Sequence, residues 1–248
     1  SKSSDFTLLI YMIGSDLEDK SYEATKDIKE FLQGTLNNSK NNSLNIILQT
    51  GGSKGKPDNV RCIDFSKTQR HAIMNNTLFT KYDDNESKIL EKKNMGDKNT
   101  LSDFINWGIS NFPANNYGLV LWDHGGGING FGNDIRFAND GLNLYELYQA
   151  FLASNQSLSK PFEFIGFDSC LMGSFEISMI LSKLSNSKYL IASEELEPNW
   201  GWNYTTISNF LSVNNTITGD LLGYNIIKSY VNDSERISQQ KKYHADRD

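Results

Sequence analysis

The residues best equipped for bond-making chemistry are His124, in Leu121-Trp122-Asp123-His124-Gly125-Gly126-Gly127, and Cys170, in Phe164-Ile165-Gly166-Phe167-Asp168-Ser169-Cys170. Each closes an apolar run, and an imidazole and a thiol are a base and a nucleophile. A neutral thiol attacks poorly, since its free pKa is about 8.5, and a neighbouring imidazole or a helix N-terminus favours the reactive thiolate. Gly125 lets backbone approach a carbonyl closely, so its N–H and that of Cys170 form a candidate oxyanion hole.

Short strands must carry these groups. Tyr117 to Trp122 and Phe162 to Phe167 are rich in aromatic and β-branched residues and bounded by turn formers, which predicts two buried strands. Amphipathic helical stretches follow, Leu144 to Ser154 and Ser174 to Ser185, so the strands belong to βαβ units of a mostly parallel α/β sheet. His124 and Cys170 then lie just past carboxyl ends, the edge where open α/β sheets bind ligands. A helix opening near Leu171 to Ser174 is expected to aim free N–H groups at the sulfur.

The remaining pattern predicts a strand over Phe6 to Ile13, a helix over Ser21 to Gln33 and a strand over Leu44 to Gln49. Val60 to Phe65 and His71 to Met74 read as an appended β-hairpin, with His71 at the surface. Lys81 to Asn99 reads as a solvated excursion before a helix over Leu101 to Ser110. A strand over Tyr189 to Ser193 and a helix over Thr218 to Val231 complete the pattern. Gly130 to Leu142, rich in glycine and asparagine, reads as an exposed loop.

The chain has 248 residues, a formal net charge of −6 and a pI near 5.2, enough for one large α/β domain. Residues 1–233 are taken as that domain, and 234–248 as a polar tail or the start of a further C-terminal segment. With no lysine or arginine block, nucleic acid is not expected as a partner, and a cationic substrate is permitted. No run reaches the roughly 18 apolar residues of a membrane span. The polar start, Ser1-Lys2-Ser3-Ser4, is no signal peptide and resembles a trimmed chain, so a secreted or cell-surface origin is the expectation. Cys62 and Cys170 are the only cysteines, and a nucleophilic Cys170 leaves no internal disulfide.

His-Gly-Gly-Gly after a strand also occurs as the oxyanion loop of lipases and esterases. That arrangement needs Gly-x-Ser-x-Gly followed by an acid and a histidine. Gly166-Phe167-Asp168-Ser169-Cys170 does not supply it, and the one later histidine, His244, sits in a polar tail. A phosphate loop lacks its Gly-Lys-Ser/Thr signature. Strand, His-Gly, spacer, strand and Asp-Ser-Cys instead resembles the caspase-like cysteine peptidases, and within them the clostripain family. Trp122 to Gly127, Asp168 to Gly173, Ala192 to Pro198 and Gly201 to Tyr204 resemble its signature, and Leu8 to Ile13 with Gly14-Ser15-Asp16 does so more weakly.

The resemblance implies an αβα sandwich with a mostly parallel sheet, and an endopeptidase acting through a Cys170/His124 dyad and a thioester acyl-enzyme. It implies Asp168 at the floor of an S1 pocket that selects Arg or Lys, with Ser169 beside it, while the segment Ala192 to Tyr204, following the next strand, opens on the same edge of the sheet and offers Glu195, Glu197 and Trp202 as further substrate-binding candidates. A peptide or protein substrate is the implied partner, and the chain is expected to be monomeric, including when cut. No required metal is expected, calcium remaining an option. Self-processing of a zymogen is implied between the two motifs, where Arg136 is the basic residue available for cleavage. A catalytically idle binding module and a small-molecule thiol esterase are the alternatives.

Overall fold

The structure is a computed structural model that describes residues 3–37, 44–55, 63–74, 76–81, 93–214 and 216–232. Among the described residues, seven strands form the central sheet: β1 (Ser4–Ile13), β2 (Leu44–Gly51), β3 (Gln69–Met74), β4 (Thr77–Lys81), β5 (Ala114–Trp122), β8 (Phe162–Asp168) and β9 (Ser187–Ile191). Their spatial order is β4-β3-β2-β1-β5-β8-β9. β2, β1, β5, β8 and β9 are parallel, and β3 with β4 is an antiparallel hairpin on the β2 edge.

Strand β1 is buried on both faces from Phe6 to Ile13, which is why it reads as a continuous apolar run. Phe6, Leu8, Ile10 and Met12 face one layer, built by α2 (Glu23–Gly34), α6 (Tyr204–Val213) and α7 (Gly219–Asn232). Leu9, Tyr11 and Ile13 face the other, built by α3 (Lys98–Asn111), α4 (Leu144–Ser154) and α5 (Phe175–Leu184). Full burial of each such side chain contributes about 1.5–3 kcal/mol, so this central strand anchors both layers. The result is the expected αβα sandwich with a mostly parallel sheet and an appended hairpin.

Several expectations need correction. The hairpin runs from Gln69 to Lys81, not from Val60; Val60 to Cys62 lie outside the described residues, as do 82–92 of the expected excursion and the whole tail after 232. Asn76, at φ 60°, supplies the turn that asparagine tolerates there. His71 is not a surface residue. It is fully buried between the hydroxyls of Thr50 (2.9 Å) and Thr80 (3.1 Å), and burial drives its pKa down to about 3, so it stays neutral. The expected helix over Ser21 to Gln33 is α2, which starts at Glu23 because Tyr22 stands in the left-handed region; α1 (Ser15–Ser21), which precedes it, was not predicted. Helix α6 was not predicted.

The expected loop at Gly130 to Leu142 is instead a small hairpin of β6 (Phe131–Asp134) and β7 (Asp140–Leu142). Its turn exposes Phe137 to Asp140, but Arg136 is only 10 % exposed. The guanidinium grips both oxygens of buried Asp134 (3.0 and 2.7 Å) and also donates to the carbonyls of Ser66 (3.1 Å) and Lys93 (3.0 Å). A peptidase that reads the P1 side chain would first have to pull Arg136 out of this cluster.

Candidate active site

Sheet register assembles the site. Trp122 of β5 pairs with Asp168 of β8, and Met12 of β1 pairs with Trp122, so three adjacent parallel strands end together. Two residues on from that register stand His124 and Cys170. The turn after β1 carries Gly14, Ser15 and Asp16 to the same edge. His124, Asp168, Ser169, Cys170 and Glu197 line one cleft, closed by Leu17, Pro198, Asn199 and Gly201.

Gly125 is pressed against the backbone of Cys170, and a Cβ there would fall 2.1 Å from its carbonyl oxygen. Gly125 also forms an isolated bridge with Phe131 whose hydrogen bonds are made by its neighbours, His124 O with Gly132 N and Gly126 N with Gly130 O. In such a pair the amide of the central residue points out of the ladder, so that of Gly125 is directed away from Phe131.

The helix expected at the sulfur is elsewhere. Leu171 takes a left-handed φ of 63° and donates to Glu195 O, Gly173 donates to Ser193 O, and α5 begins only at Phe175, capped by the Ser174 side chain. What meets the sulfur is the loop after β9: the Glu197 amide lies 3.2 Å from Cys170 Sγ.

Asp168 is buried and accepts from the Tyr204 hydroxyl (2.6 Å) and the Trp202 amide (3.2 Å). Gly201, at φ 54°, passes so close that any Cβ would strike this carboxylate. The Glu197 carboxyl is pushed up to about 10, first by burial, then by the charge of Asp168 and the hydrogen bond between the two acids. They therefore hold one proton between them near neutrality. Ser169 Oγ and Glu197 Oε2 are buried with no hydrogen-bond partner among the described residues.

Two expected contacts take other roles. The Glu195 side chain is exposed and outside the cleft, its backbone tying down Leu171. Trp202 is buried, its ring packed over Gly166, and it serves the site through its bonds to Asp168 and Glu197. Asp123 is structural: it takes hydrogen bonds from Ser15 Oγ (2.5 Å) and the Asn133 amide (2.6 Å), and burial raises it to about 7. Asp16 was missed as a site residue. Its Oδ1 lies 2.7 Å from His124 Nε2, and the strand order that puts β1 beside β5 is not written in any local motif. No group of three or more His, Cys, Asp or Glu with metal-binding geometry occurs among the described residues.

The profile of the clostripain family matches residues 10–244. Clostripain of Hathewaya histolytica is 27% identical over an alignment of 166 positions that covers 61% of this chain and 31% of clostripain. A secreted C11 cysteine protease from Bacteroides thetaiotaomicron, solved with an irreversible peptide inhibitor, superposes with a TM-score of 0.67 at 21% identity, over 92% of this chain and 59% of that one. An inactive zymogen C11 protease from Parabacteroides distasonis does so with a TM-score of 0.65 at 21% identity, over 93% and 60%. The chain thus spans about a third of the length of clostripain and about three fifths of the two solved proteins. The shared architecture is the caspase-like fold, and with the family profile covering nearly all of its length, the chain belongs to the clostripain family of cysteine peptidases.

Proposed function

We propose that this chain is the peptidase unit of an endopeptidase that cleaves after arginine or lysine. The observation that carries the P1 preference is the acid pair of Asp168 and Glu197, flanked by the buried, unpartnered Ser169 Oγ and Glu197 Oε2, in the cleft that holds Cys170. A buried polar atom without a partner costs about 1–3 kcal/mol. An arriving guanidinium or ammonium supplies donors to these acceptors and turns the carboxyl pair into a charge-assisted contact.

Chemistry follows from the two strand ends. The thiolate of Cys170 attacks the scissile carbonyl carbon, and the carbon–oxygen π electrons move to an oxyanion facing the amides of Gly125 and Cys170. Collapse of this adduct breaks the carbon–nitrogen bond as His124 gives its proton to the leaving amine, which leaves a thioester. Water then gives a proton to His124 and its hydroxide to the acyl carbon, and the thiolate departs. Among relatives, the Bacteroides thetaiotaomicron protein is described as secreted and the Parabacteroides distasonis protein as an inactive zymogen. Export and self-processing belong to this proposal, and the Glu197 amide laid on the sulfur supports a restrained starting form. Scission after Arg136 belongs to a locally opened state, since the folded hairpin holds that side chain.

The test is covalent labelling with peptidyl chloromethyl ketones bearing arginine, lysine, leucine or aspartate at P1, read by intact mass and peptide mapping. One basic label per chain at Cys170, absent in Cys170→Ala, is expected. No label sinks the enzyme in favour of an idle module. Equal labelling at all P1 residues sinks the specificity and points to an esterase.

A further inference from the structure

We infer that Asp16 is the positioning residue of His124, making the working unit Cys170–His124–Asp16 rather than a dyad. This inference rests on the peptidase reading for its kinetic consequence but not for its geometry. Asp16 Oδ1 stands 2.7 Å from His124 Nε2, within the range of a charge-assisted hydrogen bond. An ionised carboxylate only accepts, so Nε2 carries the proton. The ring nitrogen then left to exchange a proton with the thiol is Nδ1, and the histidine is held in one tautomer and one orientation.

The contact is one half of a double clasp. Ser15 and Asp16 are consecutive, as are Asp123 and His124; Ser15 Oγ bonds Asp123 Oδ1 while Asp16 bonds His124. Ser15 is fully buried at a φ of 46°, a strained left-handed conformation that a non-glycine residue keeps only when its surroundings enforce it. That turn is what swings the Asp16 side chain towards the strand end of β5. The other oxygen of Asp16 is held by Lys20 at 2.9 Å, one helical turn on. Burial pushes the Asp16 carboxyl up, but the hydrogen bonds from Lys20 and His124 outweigh it, and the net shift is downward, so the group is charged when the enzyme works. Asp123 is no rival, since its oxygens are taken by Ser15 and the Asn133 amide.

Two measurements on the full chain decide it. Histidine-selective 15N NMR, with His124 identified by difference from His124→Gln, should show Nε2 protonated and Nδ1 unprotonated in the neutral ring, and a mixed tautomer in Asp16→Ala. In steady-state cleavage of an arginyl amide, Asp16→Asn and Asp16→Ala should lower kcat by about 10- to 100-fold, with KM changed less than about twofold. The effect is smaller than the roughly 10⁴-fold loss at a fully buried triad because Asp16 and His124 are about 40 % exposed. Asp16→Glu should recover much of the loss, and Lys20→Ala, which removes only the outer ion pair, should stay within about twofold of wild type. An unchanged tautomer in Asp16→Ala, or a kcat within twofold in Asp16→Asn, overturns the inference. Failure of the wild type to cleave any basic amide instead overturns the peptidase reading, and the NMR result still decides whether Asp16 orients His124.

Discussion

Asp134 and Asp168 both end a strand, both are buried, and they have opposite company. Asp134 ends β6 and is gripped by the Nε and Nη2 edge of the resident guanidinium of Arg136, with the amides of Arg136 (2.9 Å) and Met95 (2.8 Å) donating as well. Asp168 ends β8 and faces a hydroxyl, an amide and a second acid, Glu197. Where the fold needs a guanidinium as a structural part, the chain carries one two residues away in sequence. Where two acids meet beside Cys170, with buried acceptors left over, the arrangement suits a cation that comes from a substrate.

The largest effect is expected at the resident pair. Arg136→Ala leaves Asp134 buried without its cation, and should lower the unfolding free energy by about 3–5 kcal/mol. A urea midpoint that barely moves would break the comparison, whereas adding Asp134→Asn should recover part of the loss. Slightly smaller is the effect at the substrate pair. Asp168→Asn keeps an acceptor for Tyr204 and Trp202, so the fold should hold, while kcat/KM for arginyl and lysyl substrates should fall by about 10²- to 10³-fold, or about 3–4 kcal/mol. An unchanged P1 preference across a peptide library would refute the pocket assignment.

Proton release sharpens the contrast further. Glu197, held up to about 10 by burial and by Asp168, is protonated at neutral pH and should ionise when a guanidinium enters. Binding that expels a proton strengthens as pH rises, so the affinity for agmatine should increase by up to about tenfold per pH unit between pH 6 and 8. Titration calorimetry in buffers of different ionisation enthalpy should find about one proton released, and none in Glu197→Gln. The smallest effect concerns metals. We expect EDTA to leave cleavage within about twofold of the untreated rate; loss of activity restored by calcium would show a cation serving one of these acidic regions.

How much of this was legible in the chain varies with the range of the interaction. Strands β5 and β8 and helix α4 were readable because burial on both faces writes an unbroken apolar run and a single buried face writes a helical period. Arg136 was misread because its composition, Asn133-Asp134-Ile135-Arg136, is that of a loop. The pairing that makes it structural depends on the carbonyls of Ser66 and Lys93, far away in sequence. His71 was misread for a related reason: its two threonine partners come from different strands.

By itself, the sequence placed the candidate histidine and cysteine, and the acid before the cysteine, at strand ends, since residue types there are local properties. The ordered motifs from Trp122 to Tyr204 also sufficed to place the family. Only the tertiary structure decided that β1 lies beside β5, and hence that Asp16 reaches His124. Only it laid Glu197 against Asp168 and the sulfur, and only it turned Arg136 from a loop residue into the partner of Asp134. The reason is physical: strand order and loop packing are set by the summed burial of two core layers, a sum over residues distant in the chain that no short segment records.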